Sequence, residues 1–233
     1  MTSRLNSLVT LDNATLVFLD ANVLAKPVTR TLLMLGASRS GFRVVWSAMA
    51  EEEALRHMRP RMMSPAVVRE TYGGSLTSTG EVGDRFSATS PADRQILADT
   101  VRSGASFLVT EDVDDFAEVD LIGVGVLAVN PDLFLSIRLR RDAYAFVIET
   151  LEKTRSNPRR TAADLHAGIA QQHPRLFSSH ASLYDVEPVT SAHAVPSVLF
   201  RGTRCLSCEA VVDGPGDLVD GLCADCRRAR DRA

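Results

Sequence analysis

Long apolar runs are the first thing this sequence lacks. No stretch of about 18 apolar residues occurs, so no membrane-spanning helix and no membrane partner is expected. The opening residues, MTSRLNSLVTLDNATL, carry neither a long apolar segment nor a small-residue cleavage site. A secretory signal is therefore not expected, and a cytoplasmic location is the default reading. Cysteine is missing from most of the chain, since all four cysteines fall between Cys205 and Cys226. A disulfide framework is rarely confined to one end, and a cytoplasmic chain makes one rarer still. Lysine is nearly missing, with Lys26 and Lys153 alone among the 26 basic side chains. Arginine favours bidentate phosphate contacts, but a biased genome gives the same ratio, so this decides nothing. An excess of positive charge is also missing. The formal charge of −3 speaks against a surface that is basic throughout. A site built from carboxylates subtracts charge, however, and leaves room for a local basic strip. There is no internal repeat.

What remains is an ordinary globular composition, 45% hydrophobic and 24% charged over 233 residues, enough for one good core and a small second unit. TLVFLD (15–20), FRVVW (42–46), SFLVT (106–110) and VGVLAV (124–129) are short apolar runs that read as buried strands. Helices are expected over 28–39, after the capping Ser47, after Ser64-Pro65, and from Ser90-Pro91-Ala92-Asp93 to Gly104. Further helices are expected over 136–155 and from Thr161 to about His173. Residues 73–90 are rich in Gly, Ser and Thr and read as a loop, and 178–203 reads as a linker. Strands alternating with helices predict an α/β fold, a mainly parallel sheet flanked by helices. The division expected is 13–135 for the sheet domain, 136–177 for a helical extension, 178–203 for the linker and 204–233 for a Cys-rich module.

In such a sheet, ligands bind beyond the carboxyl ends of the strands. Asp20 ends the first strand, and Asp112 lies just past the third. Helices that connect parallel strands begin at that same edge. Asp93 opens the helix entering the third strand, and Glu53 lies early in the helix leaving the second. Four acids distant in sequence thus map to one edge. Each also has a plainer reading: Asp93 as a helix cap, Glu51–Glu53 as a solvated first turn, Asp112, Asp114 and Asp115 as turn residues. Asp20 resists that treatment, because an acid closing a buried strand is costly without a partner. Clustered carboxylates repel one another, and a hard divalent cation such as Mg²⁺ or Mn²⁺ removes the conflict. Such a cation suits phosphodiester hydrolysis.

Three blocks resemble the motifs of the PIN-domain ribonuclease family. LVFLDANVL (16–24) looks like its opening motif, an apolar strand and then Asp-x-Asn. VVWSAMAEEEALRHM (44–58) resembles its second, and SPADRQILADTVRSGASFLVTEDVDDF (90–116) its third and fourth. The resemblance covers about residues 15–135. It implies a PIN-like fold, a single-stranded RNA substrate and an active-site Mg²⁺ or Mn²⁺. By position it makes Asp20, Glu53, Asp93 and Asp112 the metal-binding catalytic acids. Asn22 supports Asp20, Thr110 orients the site and Asp115 is an additional acid. Spacing from Ser47 selects Glu53, with Glu52 as the second choice. The family includes VapC-like toxins of toxin–antitoxin pairs, and 136–177 resembles the tail of a bacterial subgroup of these. That implies a small antitoxin partner, and PIN proteins often form homodimers.

Cys205-x2-Cys208 and Cys223-x2-Cys226 can form a structural Cys₄ zinc site, and the segment resembles a zinc ribbon with Glu209 where a glycine often follows the second cysteine. Two disulfides or free thiols are the alternatives. VVDGPGDLV between the pairs reads as a hairpin. Arg227, Arg228, Arg230 and Arg232 either hold phosphates or form a solvated tail. His57, His166 and His173 read as helix-surface or terminal residues. The functions in view are a metal-dependent endoribonuclease, acting as a toxin or in RNA maturation, and a catalytically silent PIN-like module that binds RNA or protein.

Overall fold

The computed structural model describes residues 14–154, 159–187 and 196–232. Six strands form one sheet: β1 (Thr15–Leu19), β2 (Phe42–Ser47), β3 (Ser75–Thr77), β4 (Phe107–Val109), β5 (Leu127–Val129) and β6 (Phe200–Arg201). Their spatial order is β3-β2-β1-β4-β5-β6, and every pairing is parallel except β5 with β6. The central strands are apolar on both faces because helices flank the sheet. Val17, Phe18, Leu19, Phe107, Leu108, Val109 and Leu127 are all without solvent exposure.

The helices are α1 (Ala21–Leu24), α2 (Pro27–Ala37), α3 (Ala48–His57), α4 (Pro65–Tyr72), α5 (Arg94–Ser103), α6 (Glu118–Val124), α7 (Pro131–Arg138), α8 (Arg141–Thr154), α9 (Ala162–Ile169), α10 (Pro174–Ser179) and α11 (Ala224–Arg230). Most start and stop where their ends dictate. The Ser47 hydroxyl accepts from the Ala50 N–H at the head of α3, and Thr161 and Asp164 form a reciprocal capping box on α9. Gly104 closes α5 in the left-handed conformation, φ +74°, which glycine adopts without steric cost. Among the described residues, no helix is long and apolar enough to cross a membrane.

Four expectations change. The helix expected over 136–155 is two, α7 and α8, because Asn130-Pro131 caps and starts α7 early and Leu139 then leaves helical conformation, its side chain buried against Gly36. The loop at 73–90 contributes β3, seated beside β2 where Gly74, at φ +135°, lies against the Trp46 ring with no room for a side chain. The stretch 178–203, expected as a linker, completes α10 and contributes β6. That short strand covers the edge of β5, which would otherwise present unpaired backbone groups. The loop between the cysteine pairs is a 3-10 turn at Pro215–Asp217 flanked by isolated bridges, Arg204 with Val211 and Val219 with Leu222, rather than one hairpin.

His166 and His173, expected at helix surfaces or ends, are buried, and so is His180. The Tyr144 hydroxyl lies 2.6 Å from His166 Nδ1, and the Tyr144 and His180 rings stack at 4.4 Å. His173 Nε2 lies 2.9 Å from the Thr29 hydroxyl. Burial lowers both His173 and His180 from 6.5 to about 4. The unfolded chain therefore binds protons that the folded chain refuses. Stability from these neutral rings is complete above pH 6.5 and is lost as pH falls toward 4. By linkage the loss at pH 5 is about 2 kcal/mol per ring, against which Asp20, raised to about 6, returns about 1 kcal/mol. Denaturant midpoints at pH 7 and pH 5 should differ accordingly. Substituting His173 and His180 together with neutral residues should flatten the dependence, and an unchanged slope would contradict this assignment.

The Cys-rich module packs on the sheet domain. Cys205, Leu206, Leu218 and Leu222 belong to the common core. Arg138 of α7 donates to the Leu206 carbonyl at 3.2 Å and to the Thr15 hydroxyl at 2.8 Å, and it pairs with Glu209 at 3.1 Å. Arg204 donates to the Gly125 carbonyl at 2.8 Å.

Candidate functional site

The strand order reverses direction between β1 and β4: from β1 the chain goes first to β2 on one side and later to β4 on the other. At such a switch point the connections diverge and leave a crevice at the carboxyl ends. Asp20 and Thr110 are the residues just past those two strands. Both still hold the ladder, Asp20 N–H to the Val109 carbonyl and Thr110 N–H to the Val129 carbonyl. Their side chains are thus positioned by the sheet itself.

The polar groups there are interlocked. The Thr110 hydroxyl donates to Asp20 Oδ2 at 2.7 Å, and the Asp112 N–H donates to that hydroxyl oxygen at 3.1 Å. Asn22 Nδ2 lies 3.1 Å from Asp20 Oδ2, 3.1 Å from Thr110 Oγ1 and 3.0 Å from Asp112 Oδ2. The Asn22 carbonyl oxygen accepts from the Glu111 N–H, which fixes the orientation of the amide. Asp20 Oδ1 accepts from the Ala21 N–H at 2.6 Å.

Asp20, Asn22, Glu53, Asp93, Asp112 and Asp115 line one open cleft of about 1910 Å³. The three neighbouring glutamates separate clearly. Glu51 turns to the Trp46 indole and to Arg69, and Glu52 pairs on the surface with Arg56, leaving Glu53 as the one that faces the cleft. Asp93 is the N-cap residue of α5 but makes no cap hydrogen bond; its carboxylate accepts from the Ser90 hydroxyl. Desolvation raises Asp20 from 3.8 to about 6, opposed by the hydrogen bonds from Thr110 and Ala21 and reinforced by the charges of Glu53 and Asp93. Asp115 is raised by desolvation, then by Asp93, Asp112 and Asp114, with Arg201 acting against them. The acids therefore sense one another across the cleft. They do not close into a tight cage: among the described residues, no three carboxylates bring oxygens within 4.8 Å of one another. An all-oxygen donor set around a buried, mutually repelled carboxylate fits a hard cation, and Mg²⁺ needs only one or two direct carboxylates because it keeps several waters.

Sequence reasoning missed part of the lining. Asn130 and Asp132 also face the cleft, where Asp132 accepts from the Arg175 and Leu176 N–H groups at the head of α10. Asn130 ends β5 as Asp20 ends β1, so the same signal, a polar residue closing a buried strand, was present. Lys26, Arg59 and Arg175 line the cleft too, and nothing in their local sequence marked them; Arg230, one of the tail arginines read as phosphate holders or a solvated tail, lines it as well.

The four cysteines form a second centre, their sulfurs all within 4.8 Å of one another and none in a disulfide. Cys208 Sγ and Cys223 Sγ are 3.8 Å apart. A disulfide needs about 2.05 Å, whereas a tetrahedron with metal–sulfur bonds of about 2.3 Å has edges of about 3.8 Å. Within the cluster, burial works to raise the Cys205 thiol, but N–H groups of Cys223, Cys208 and Ser207 outweigh it and bring it down to about 7, whereas burial and the neighbouring thiols push Cys208 up to about 12 and also raise Cys226, so without a cation the four thiols do not ionise together. Glu209, in the position where ribbons often have glycine, adopts φ +64°, and its carboxylate is held by Arg138 and Thr15. Comparison with family models, curated proteins and solved structures returns no match to this chain.

Proposed function

We propose that this chain is a PIN-type endoribonuclease that hydrolyses single-stranded RNA with Mg²⁺ or Mn²⁺, and that its Cys-rich module is a zinc ribbon-like unit held by a structural Zn²⁺. The observation that carries the reading is the Asp20–Thr110–Asn22–Asp112 hydrogen-bond network at the sheet's switch point, facing Glu53 and Asp93 across one cleft.

Each residue has a distinct task in this reading. Asp20, Glu53, Asp93 and Asp112 would hold the cation, which would supply positive charge to a phosphoryl oxygen. Thr110 and the Ala21 N–H keep the Asp20 carboxylate ionised against its burial. Asn22 sets the angle between Asp20 and Asp112. Asp115 adds negative charge at the margin. The four thiolates of the second centre leave no open position, so its role is folding rather than chemistry.

The direct test is cleavage of labelled single-stranded RNAs by the purified full chain. Cleavage is expected with Mn²⁺ or Mg²⁺ and none in EDTA. Metal-independent cleavage, or no cleavage of any RNA in either metal, defeats the proposal; tight binding without cleavage points instead to a silent RNA-binding module. Growth arrest on expression, relieved by inactivating Asp20, is the outcome expected of a toxin with a small antitoxin.

Thr110→Val offers a finer check. It removes the hydroxyl that lowers Asp20, so the Asp20 value should rise further above 6. With Mn²⁺ below saturation, protons then compete better with the cation at Asp20, and the acid limb of the pH–rate profile should move toward higher pH. An unmoved acid limb contradicts the role given to Thr110.

A further inference from the structure

We infer that Arg230, at the end of the last helix of the Cys-rich module, and Arg59, beyond α3, grip phosphates of a single RNA strand lying across the acids. The inference rests on the nuclease reading and names how its substrate is held.

The cleft volume of about 1910 Å³ exceeds the roughly 300–1,000 Å³ of a small-molecule pocket and suits a polymer. A polyanion approaching several carboxylates is repelled unless cations stand beside them. The cations that line this cleft are of two kinds. Lys26 is paired with Glu111, and Arg175 with Asp220. Arg59 and Arg230 are exposed, and among the described residues neither takes part in an ion pair. Their charges are thus available to a ligand.

Arg230 is positioned by the thiol cluster. It lies four residues after Cys226 on α11, and residues at that spacing share a helix face. The module is itself pinned to the sheet domain by Arg138, by Arg204 and by the Arg175–Asp220 pair. Arg228 of the same helix pairs with Asp225 and does not line the cleft, which makes it the internal control.

The test uses the full chain loaded with zinc and a fluorescent single-stranded RNA of mixed sequence. Arg59→Ala with Arg230→Ala should weaken binding on the order of tenfold. The slope of log affinity against log salt should shrink by about 1.4, two phosphate contacts' worth for a single strand. KM should rise while kcat stays within about twofold. The Arg→Lys pair should keep the salt slope, and Arg228→Ala should behave as wild type. An unchanged affinity and slope in the double Ala variant, with cleavage intact in the wild type, overturns the inference alone. Loss of binding in that variant, with no cleavage by any form in Mn²⁺ or Mg²⁺, supports the phosphate grip and overturns the nuclease reading instead.

Discussion

Asp20→Asn, and separately Asp93→Asn, should reduce RNA cleavage by about a thousandfold or more at saturating Mn²⁺, some 4 kcal/mol of barrier, while the chain stays folded. The loss follows from charge and geometry together. Asp20 sits where the network converges, with the Thr110 hydroxyl on one oxygen and the Ala21 N–H on the other. An amide there carries no charge for a cation. It also turns an N–H₂ toward the Asn22 N–H₂, which now faces a carboxylate oxygen at 3.1 Å.

Stability should move the other way. Asp20 is raised from 3.8 to about 6, so the stability linked to its protonated form is present below 3.8 and lost as pH rises through 6. At pH 7.5 the folded chain therefore carries a buried charge at a cost of about 3 kcal/mol. The amide relieves part of that cost, offset by the donor conflict with Asn22. Melting in EDTA at pH 7.5 should show Asp20→Asn at least as stable as the wild type, a trade of stability for activity of the kind seen where a site stores unfavourable charge. Retained cleavage in both variants refutes the assignment. Cleavage and fold lost together would make Asp20 structural.

The second large effect concerns the thiols. The full chain should contain one zinc, and Cys208→Ser with Cys226→Ser should remove it. Structural zinc sites of this ligand type contribute roughly 10 kcal/mol or more to folding of small units. Here the module shares its core with the main domain through Leu206, Leu218 and Leu222, so its loss exposes apolar surface beyond the module itself. The melting midpoint should drop by more than about 10 °C, at about 2–4 °C per kcal/mol for a chain of this size. Native mass spectrometry settles the stoichiometry. A metal-free chain with paired disulfides, equally stable after reduction, would contradict the zinc reading.

The sheet was legible because its central strands are buried on both faces, and a continuous apolar run such as TLVFL admits few other readings. The acids were legible for a related reason: topology alone sends the ends of parallel strands and the heads of the following helices to one edge. The motif that the sequence resembles selects Glu53, and of the three glutamates it is Glu53 that lines the cleft, since Trp46 and Arg69 engage Glu51 while Arg56 engages Glu52. The misses share a cause as well. β3 and β6 are too short to carry a period, and they exist because neighbouring strands need partners. His166 and His173 looked superficial because nothing local reveals that Tyr144 and Thr29 lie across from them. Arg59 reaches the cleft through tertiary packing that no window of sequence contains, and the same packing sets Arg230, alone of the four tail arginines read as phosphate holders or a solvated tail, in its lining.

In the proposed reading, Asp20 after β1, Glu53 of α3, Asp93 at the head of α5 and Asp112 in the turn after β4 share a divalent cation. A crystal structure grown with Mn²⁺ and read at its absorption edge addresses that claim directly. The predicted result is an anomalous peak bonded to Asp20 and to at least one of Glu53, Asp93 and Asp112, with waters completing the shell. A cleft in which Mn²⁺ at millimolar concentration gives no peak, or gives one only on carboxylates elsewhere, would contradict it.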